Sequence, residues 1–111
     1  MATATTTTIP VTITDEAAAR IGELGMQREF EQMVEHAKEF FPELRHIEVT
    51  LEYDPEEPRD PTILISPHRP HQGVAYDSTD WNWSGWFVRT FPPEVCIHFC
   101  LLSFFERNDA R

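Results

Sequence analysis

The sequence is short of glycine, cysteine and basic residues, and each shortage excludes a class of protein. Its four glycines form neither a glycine-rich phosphate-binding loop nor the sharp turn that exposes a serine nucleophile. Two cysteines are too few for a disulfide framework and predict reduced thiols in a cytoplasmic protein. No apolar run reaches the roughly 20 residues that cross a membrane, and residues 1–8 lack the basic and apolar regions of a signal peptide.

Acidic residues strongly outnumber basic ones. Nineteen Asp and Glu stand against nine Lys and Arg, which gives a net charge of −10. Nucleic acids and anionic lipids bind through basic surfaces, so this composition argues against both as partners. Residues 29–60 contain eleven acidic and three basic residues, so most of the negative charge lies in that part of the chain. Such a field would attract a basic protein or peptide.

The length and the order of the elements predict one α+β domain. A chain of 111 residues, 41% of them apolar, can bury a core of its own. We expect a disordered tail at 1–8, a single domain at 9–107 and a C-terminal tail at 108–111. A strand, then helices, then several strands predict a two-layer sandwich, in which a small, mostly antiparallel sheet is covered by a kinked or broken N-terminal helix. No cofactor is implied.

The helical region is predicted to span residues 15–41. Thr14 is a suitable N-cap, and acidic residues follow it in the first turn, where the helix dipole favours negative charge. Pro42 disfavours helical geometry at Phe41 and should end the helix there. The apolar residues change face near Gly25, and glycine is a usual site of kinks. We therefore predict two segments, about 15–24 and 26–41.

The remaining segments are predicted mostly as strands. Pro10 cannot donate a backbone hydrogen bond, so the strand at 9–13 should lie at a sheet edge. Residues 44–53 alternate between apolar and polar, as in a half-buried antiparallel strand, and should form a hairpin with 62–66 across a surface turn at 54–61. The other expectations are a loop at 67–73, a helical turn at 78–83, a strand at 86–91, and a buried strand within 95–106, with or without a helical turn before it.

A group of cysteines and histidines offers possible metal ligands. Cys96, His98 and Cys100 alternate along the predicted strand and would share one face. Thiolate and imidazole bind zinc, and His68 and His71 from the preceding loop could complete a tetrahedral site. The spacing is not that of a zinc knuckle, and free cysteines are among the most buried residues. We favour core cysteines over a metal site.

Two features could form a partner-binding surface. Glu31, Glu35 and Glu39 recur every four residues, on the side of the helix away from its apolar face. Such a stripe is either a solvated surface or a docking face for a basic partner. Trp81 and Trp83 lie among polar residues and would be either part of the core or the exposed hot spot of an interface.

The start of the chain resembles a known family. Residues 9–21, IPVTITDEAAARI, are similar to the opening strand and helix of the A-type iron–sulphur carrier proteins. Those proteins hold their cluster on a lone cysteine and a downstream C-G-C pair, and no such pair occurs here. The resemblance implies a strand followed by a capped helix, and no function, cofactor or site residue.

These observations favour a non-enzymatic accessory protein. We predict that it docks a basic protein partner through its acidic side, in the manner of an antitoxin or immunity protein. The alternative is a small zinc-binding or metal-dependent protein that uses Cys96, His98 and Cys100 with the loop histidines.

Overall fold

A computed structural model describes residues 9–41, 43–70 and 79–106. The predicted α+β class is confirmed. None of the described helices is both long and apolar enough to cross a membrane. The predicted tails at 1–8 and 108–111 lie outside the described residues. The elements are β1 Val11–Ile13, α1 Asp15–Leu24, α2 Gln27–Phe40, β2 His46–Asp54, β3 Glu57–Pro70, α3 Thr79–Thr90, α4 Pro93–Cys96, β4 Phe99–Leu101 and β5 Phe104–Glu106.

The strands form one mixed sheet. Their order is β1-β2-β3-β4, and β5 also pairs with β3. The hairpin of β2 and β3 is antiparallel as predicted, but β1 pairs with β2, and β4 and β5 pair with β3, in parallel. The prediction of a mostly antiparallel sheet was therefore wrong. Parallel pairing follows from the connections, because α1 and α2 return the chain from β1 to β2, and α3 and α4 return it from β3 to β4.

The described helices share a single core with one face of the sheet. Ile47 and Val49 of β2, and Ile63 and Ile65 of β3, are fully buried on this inner face. Burying a side chain of this size contributes about 1.5–3 kcal/mol. The helices and β4 complete the core with Ala17, Ile21, Phe30, Met33, Val34, Ala37, Phe41, Trp83, Phe87, Phe91, Val95, Phe99 and Leu101.

The junction between α1 and α2 is set by Gly25. Gly25 has a φ of 68°, a left-handed conformation that glycine adopts without a steric cost. Its N–H donates to the carbonyl of Gly22, and the N–H of Met26 donates to the carbonyl of Ile21, which is the Schellman ending of a helix. The predicted change of direction lies here. The helical region forms two separate helices and not one kinked helix, and α3 covers the sheet with them.

α1 has the predicted bounds, and α2 is one residue shorter at each end than the predicted 26–41. The Thr14 hydroxyl accepts a hydrogen bond from the backbone of Ala17 at 3.1 Å, so it caps α1. α2 ends at Phe40, and Phe41, which precedes Pro42, is extended with a ψ of 123°. Local sequence signals therefore determine both boundaries.

β3 is longer than its sequence predicts. It begins at Glu57 and continues to Pro70, so the predicted turn at 54–61 shortens to Pro55 and Glu56, and the predicted loop at 67–73 is a strand as far as it is described. β5 pairs with His68, Arg69 and Pro70. β2 pairs with β3 as far as His68, and β5 extends the strand to Pro70.

The aromatic segment after residue 78 is helical where a strand was predicted. α3 spans Thr79–Thr90, so the prediction of a strand at 86–91 was wrong. Trp83 and Phe87 are four residues apart and both are buried, as one face of a helix requires. The ambiguous run at 95–106 divides into the last turn of α4, β4 and β5, so it does contain strand after a helical turn.

Candidate partner-binding surfaces

The predicted acidic stripe, Glu31, Glu35 and Glu39, lies on the solvent side of α2, and all three residues are exposed. The opposite side of α2 is buried in the core. Lys38 Nζ lies 3.4 Å from a Glu35 carboxylate oxygen, and the Gln27 amide donates to Glu31 at 3.1 Å. Exposed pairs of this kind contribute only about 0–1 kcal/mol. They leave the stripe accessible to a partner.

An aromatic groove lies beside this stripe, where α2 and α3 meet. Its volume is about 480 Å³, and it is lined by His36, Phe40, Trp81, Asn82, Gly85, Trp86 and Arg89. The His36 ring stacks on the Trp86 indole with a centroid distance of 3.7 Å. The Phe40 ring stacks on His36 at 5.5 Å. Trp81 stands at the rim and is 73% exposed. Two helices thus present a continuous aromatic surface.

His36 links the groove electrostatically to the acidic stripe. Burial lowers the pKa of His36, and the negative charge of Glu39 partly opposes this effect. The neutral imidazole is therefore favoured near neutral pH. Glu39 follows His36 by three residues and lies on a neighbouring part of the same helix. The stripe and the groove therefore form one surface, which we call the α2–α3 surface.

Trp83 does not belong to this surface. It is 1% exposed and packs against Phe87 at a centroid distance of 5.1 Å. Residues two apart on a helix lie on nearly opposite sides, about 200° apart. Trp81 therefore points outward while Trp83 points into the core. Of the two alternatives for these tryptophans, Trp83 therefore belongs to the core, and only Trp81 is exposed.

Sequence reasoning missed His36, Trp86 and Arg89 as parts of a surface. Trp81, Trp86 and Arg89 share a side only if residues 79–90 are helical, and that segment was read as a turn followed by a strand. His36 and Phe40 did carry a signal, since aromatic rings four residues apart are neighbours on a helix.

The proposed metal ligands are not brought together. Cys96 is in α4, Cys100 is in β4 and His98 lies in the turn between them, so the three do not alternate on one strand as predicted. The Cys96 thiol is directed at the carbonyl of Phe91, with 3.5 Å between S and O. Burial raises the pKa of both thiols, and Glu52 raises that of Cys100 further. Zinc binds the thiolate, which these environments disfavour.

His68 lies far from the cysteines in the sheet. Cys100 is opposite Leu64, and His68 follows Leu64 by four residues of strand, which spans about 13 Å. A zinc ion binds ligand atoms at about 2.0–2.3 Å, so it cannot bridge this separation. His71 lies outside the described residues. Within the described part of the chain, no three His, Cys, Asp or Glu side chains are placed to hold a metal.

His68 belongs instead to a cluster on the sheet face opposite the helices. Its Nε2 lies 3.2 Å from a Glu48 carboxylate oxygen, and its ring stacks on His46 at 4.1 Å. Phe104 lies 4.6 Å from His68 on the side of β5. The two imidazoles stack face to face, so their in-plane nitrogen lone pairs do not converge on one point. This cluster is a packing arrangement.

Comparison of the chain with protein-family models, with curated proteins and with solved structures finds no match. The functional argument therefore rests on the surfaces described above.

Proposed function

We propose that this chain is a small, non-enzymatic binding protein that docks a basic protein partner through the α2–α3 surface. The observation that carries the proposal is the position of exposed Trp81 on an aromatic groove whose edge is the acidic stripe. Neutralisation of a basic toxin, as by an antitoxin or immunity protein, is one form that such docking could take. The net charge of −10 disfavours nucleic acid and anionic membranes as partners.

The residue types of the groove support an interface. Tryptophan and arginine are enriched among the residues that contribute most to protein–protein binding. Trp81, Trp86 and Arg89 lie together on α3. The Trp81 side chain is 73% exposed, and covering such a large apolar surface favours association. A partner that buries Trp81 would also remove water from the groove.

The acidic stripe supports a basic partner. Three exposed carboxylates with a four-residue spacing repel one another, at a cost of a few tenths of a kcal/mol per pair. A cationic surface would relieve that repulsion. Charges at the rim of an interface act mainly on the association rate, and their effect decreases with salt. The two free thiols, Cys96 and Cys100, fit a protein of the reducing cytoplasm.

The test compares two triple variants that carry the same change in charge. Glu31→Gln/Glu35→Gln/Glu39→Gln neutralises the stripe, and Glu16→Gln/Glu23→Gln/Glu56→Gln neutralises three exposed residues elsewhere. A partner is first captured from the native host at low salt, and its binding kinetics are then measured with each purified protein. We expect the stripe variant alone to lose association rate, while Trp81→Ala increases the dissociation rate.

Thermal melting separates binding from folding. Neutralising the stripe should stabilise the fold by a few tenths of a kcal/mol, because it removes like-charge repulsion. Stability and association would then change in opposite directions. A stripe variant and a Trp81→Ala variant that both bind the captured partner with wild-type kinetics would contradict the proposal, as would capture of no partner at low salt.

A further inference from the structure

The sheet has a face that the described helices do not cover. Side chains alternate across a strand, so the residues next to the buried ones in β2 and β3 point to the opposite side, which we call the outer face. It carries His46, Glu48, Thr50 and Glu52 of β2, and Thr62, Leu64, Ser66 and His68 of β3. None of the described residues on this face is a lysine or an arginine. The outer face is therefore negatively charged.

A groove lies at the hairpin end of the outer face. Its volume is about 420 Å³, and it is lined by Glu52, Tyr53, Asp54, Pro55, Thr62, Leu64 and Cys100. Glu52 and Asp54 are both exposed, and none of the described residues that line the groove is basic. Tyr53 is 55% exposed. The groove thus combines two carboxylates with the apolar side chain of Leu64.

We propose that the outer face binds an extended basic segment of a protein partner, with one lysine or arginine side chain in the groove beside Glu52 and Asp54. The cationic head would pair with the two carboxylates, which are its natural hydrogen-bond acceptors. Its aliphatic stem would lie on Leu64, since such stems commonly cover apolar surface.

The spacing of the carboxylates fits an extended chain. Glu48 and Glu52 are four residues apart on β2, which corresponds to about 13 Å. Basic residues four positions apart in an extended segment have the same separation and point to the same side. A segment that lies along β2 can therefore place one basic residue in the groove and a second near Glu48.

The negative charge of the outer face favours a basic segment over a second copy of the chain or a nucleic acid. A second copy of the chain would bring the same carboxylates against themselves, and a nucleic acid would bring phosphates against them. The outer face is opposite the face on which the helices pack. The inference therefore goes beyond the α2–α3 surface and does not depend on it.

Cys100 provides a reporter inside the groove. It is exposed and lines the groove, whereas Cys96 is partly buried in α4. The rate of Cys100 alkylation by iodoacetamide can be followed by peptide mapping, which separates it from Cys96. The probe is a short peptide of alternating lysine and threonine at low salt, and the control peptide has glutamate in place of lysine. We expect the lysine peptide to slow Cys100 alkylation several-fold and the glutamate peptide to leave it unchanged.

A pair of variants locates the binding site. Glu52→Gln/Asp54→Asn should abolish the protection, while Glu16→Gln/Glu23→Gln on α1 makes an equal change in charge and should preserve it. Asparagine keeps the side-chain oxygen that accepts a hydrogen bond from the Glu56 N–H at 2.9 Å, so the turn is retained. The ratio of rates with and without peptide is compared, because the Glu52 change itself alters the thiol.

Three results would overturn the inference. They are no protection of Cys100 by the lysine peptide, equal protection by the glutamate peptide, and undiminished protection in a folded Glu52→Gln/Asp54→Asn protein. If circular dichroism shows that the double variant does not fold, Glu52→Gln alone is tested instead. Undiminished protection of Cys100 in this single variant would also overturn the inference.

Discussion

The imidazole of His36 lies almost parallel to the indole of Trp86, with centroids 3.7 Å apart and ring planes at 7°. His36 belongs to α2 and Trp86 to α3, so this pair connects the two helices at the base of the aromatic groove. On its other side the Trp86 indole meets Phe91 edge-on at 5.6 Å. The stack joins α3 to α2 in addition to the core contacts of Trp83 and Phe87.

A double-mutant cycle should detect the stack. His36→Ala and Trp86→Ala each remove one ring, and the double variant removes both. Aromatic pairs are typically worth about 0.5–1.5 kcal/mol beyond the area that they bury, so we expect a coupling of that size in the free energy of unfolding, measured with denaturant. Additive single effects would show that the rings are neighbours without interaction. Phe40→Ala with Trp86→Ala is a second cycle for the wider cluster.

His36 should make the fold less stable in mild acid. Burial lowers its pKa in the folded protein below the ordinary 6.5, so the unfolded chain binds a proton more readily. The contribution of the neutral ring is complete above the unfolded pKa, and it declines as the pH falls through about 6.5 toward the folded pKa. The melting temperature of wild type should therefore fall relative to that of His36→Phe as the pH falls.

The charge of Glu39 affects how steeply the stability of the fold falls with decreasing pH. Glu39 favours the protonated ring, so Glu39→Gln should make the loss of stability with falling pH steeper. A constant difference in melting temperature between wild type and His36→Phe across this pH range would show that His36 does not titrate as described.

The two glycines of α1 should respond oppositely to the same substitution. Gly25 adopts a φ of 68°, and an added Cβ would meet no atom within 4 Å, so Gly25→Ala should cost about 1–2 kcal/mol through the backbone alone. Gly22 is helical and equally open, so Gly22→Ala should stabilise by up to about 1 kcal/mol. Chemical denaturation of both variants measures this. Two changes of the same sign would contradict the assigned end of α1.

Cys100 should become more reactive when Glu52 is neutralised. Burial is the larger reason for its raised pKa, and the Glu52 carboxylate adds to it. Glu52→Gln should lower the pKa, increase the thiolate fraction and speed alkylation at a fixed pH. Cys96, whose pKa is raised by burial alone, is the internal control and should keep its rate. A pH profile of alkylation that is identical in wild type and Glu52→Gln would exclude the effect.

Local signals predicted the first half of the fold well. Thr14 and Gly25 act at the start and end of α1 through their own backbone and side-chain chemistry. The alternation of residues 46–53 identified β2, because its inner residues are buried and its outer ones are polar. These features depend on residues that are neighbours in the sequence, so they can be predicted without knowledge of the fold.

The remaining parts of the fold depend on contacts between residues that are far apart in the sequence. The segment from Trp86 to Phe91 is rich in residues that favour strands, yet Trp83 and Phe87 bury one helical face against the core. β3 continues through Pro67 because β2 pairs with it as far as His68, and it reaches Pro70 because β5, from much later in the chain, pairs with its last residues. The parallel pairs likewise follow from the path of the connecting helices, which no local pattern specifies.

In the candidate site, likewise, the feature that depends on one helix was predicted and the feature that depends on two helices was not. The acidic stripe follows from a four-residue period on one helix and was predicted. The aromatic groove requires two helices, one of which was read as a strand, so His36 and Trp86 could not be paired from sequence. The supposed metal ligands failed for a related reason, because Cys96 ends a helix while Cys100 lies in the following strand.

The mixed sheet also has a kinetic consequence. The hairpin of β2 and β3 joins neighbouring segments, whereas the parallel partners Val11 and Ile47, and Ile63 and Phe99, are each roughly 36 residues apart, so their pairing requires the closure of long loops. Chains dominated by such non-local contacts fold slowly. The hairpin should therefore form early in folding. Its flanking strands should join later, which leaves both sides of the hairpin unpaired, and open to association with other chains, during synthesis and refolding.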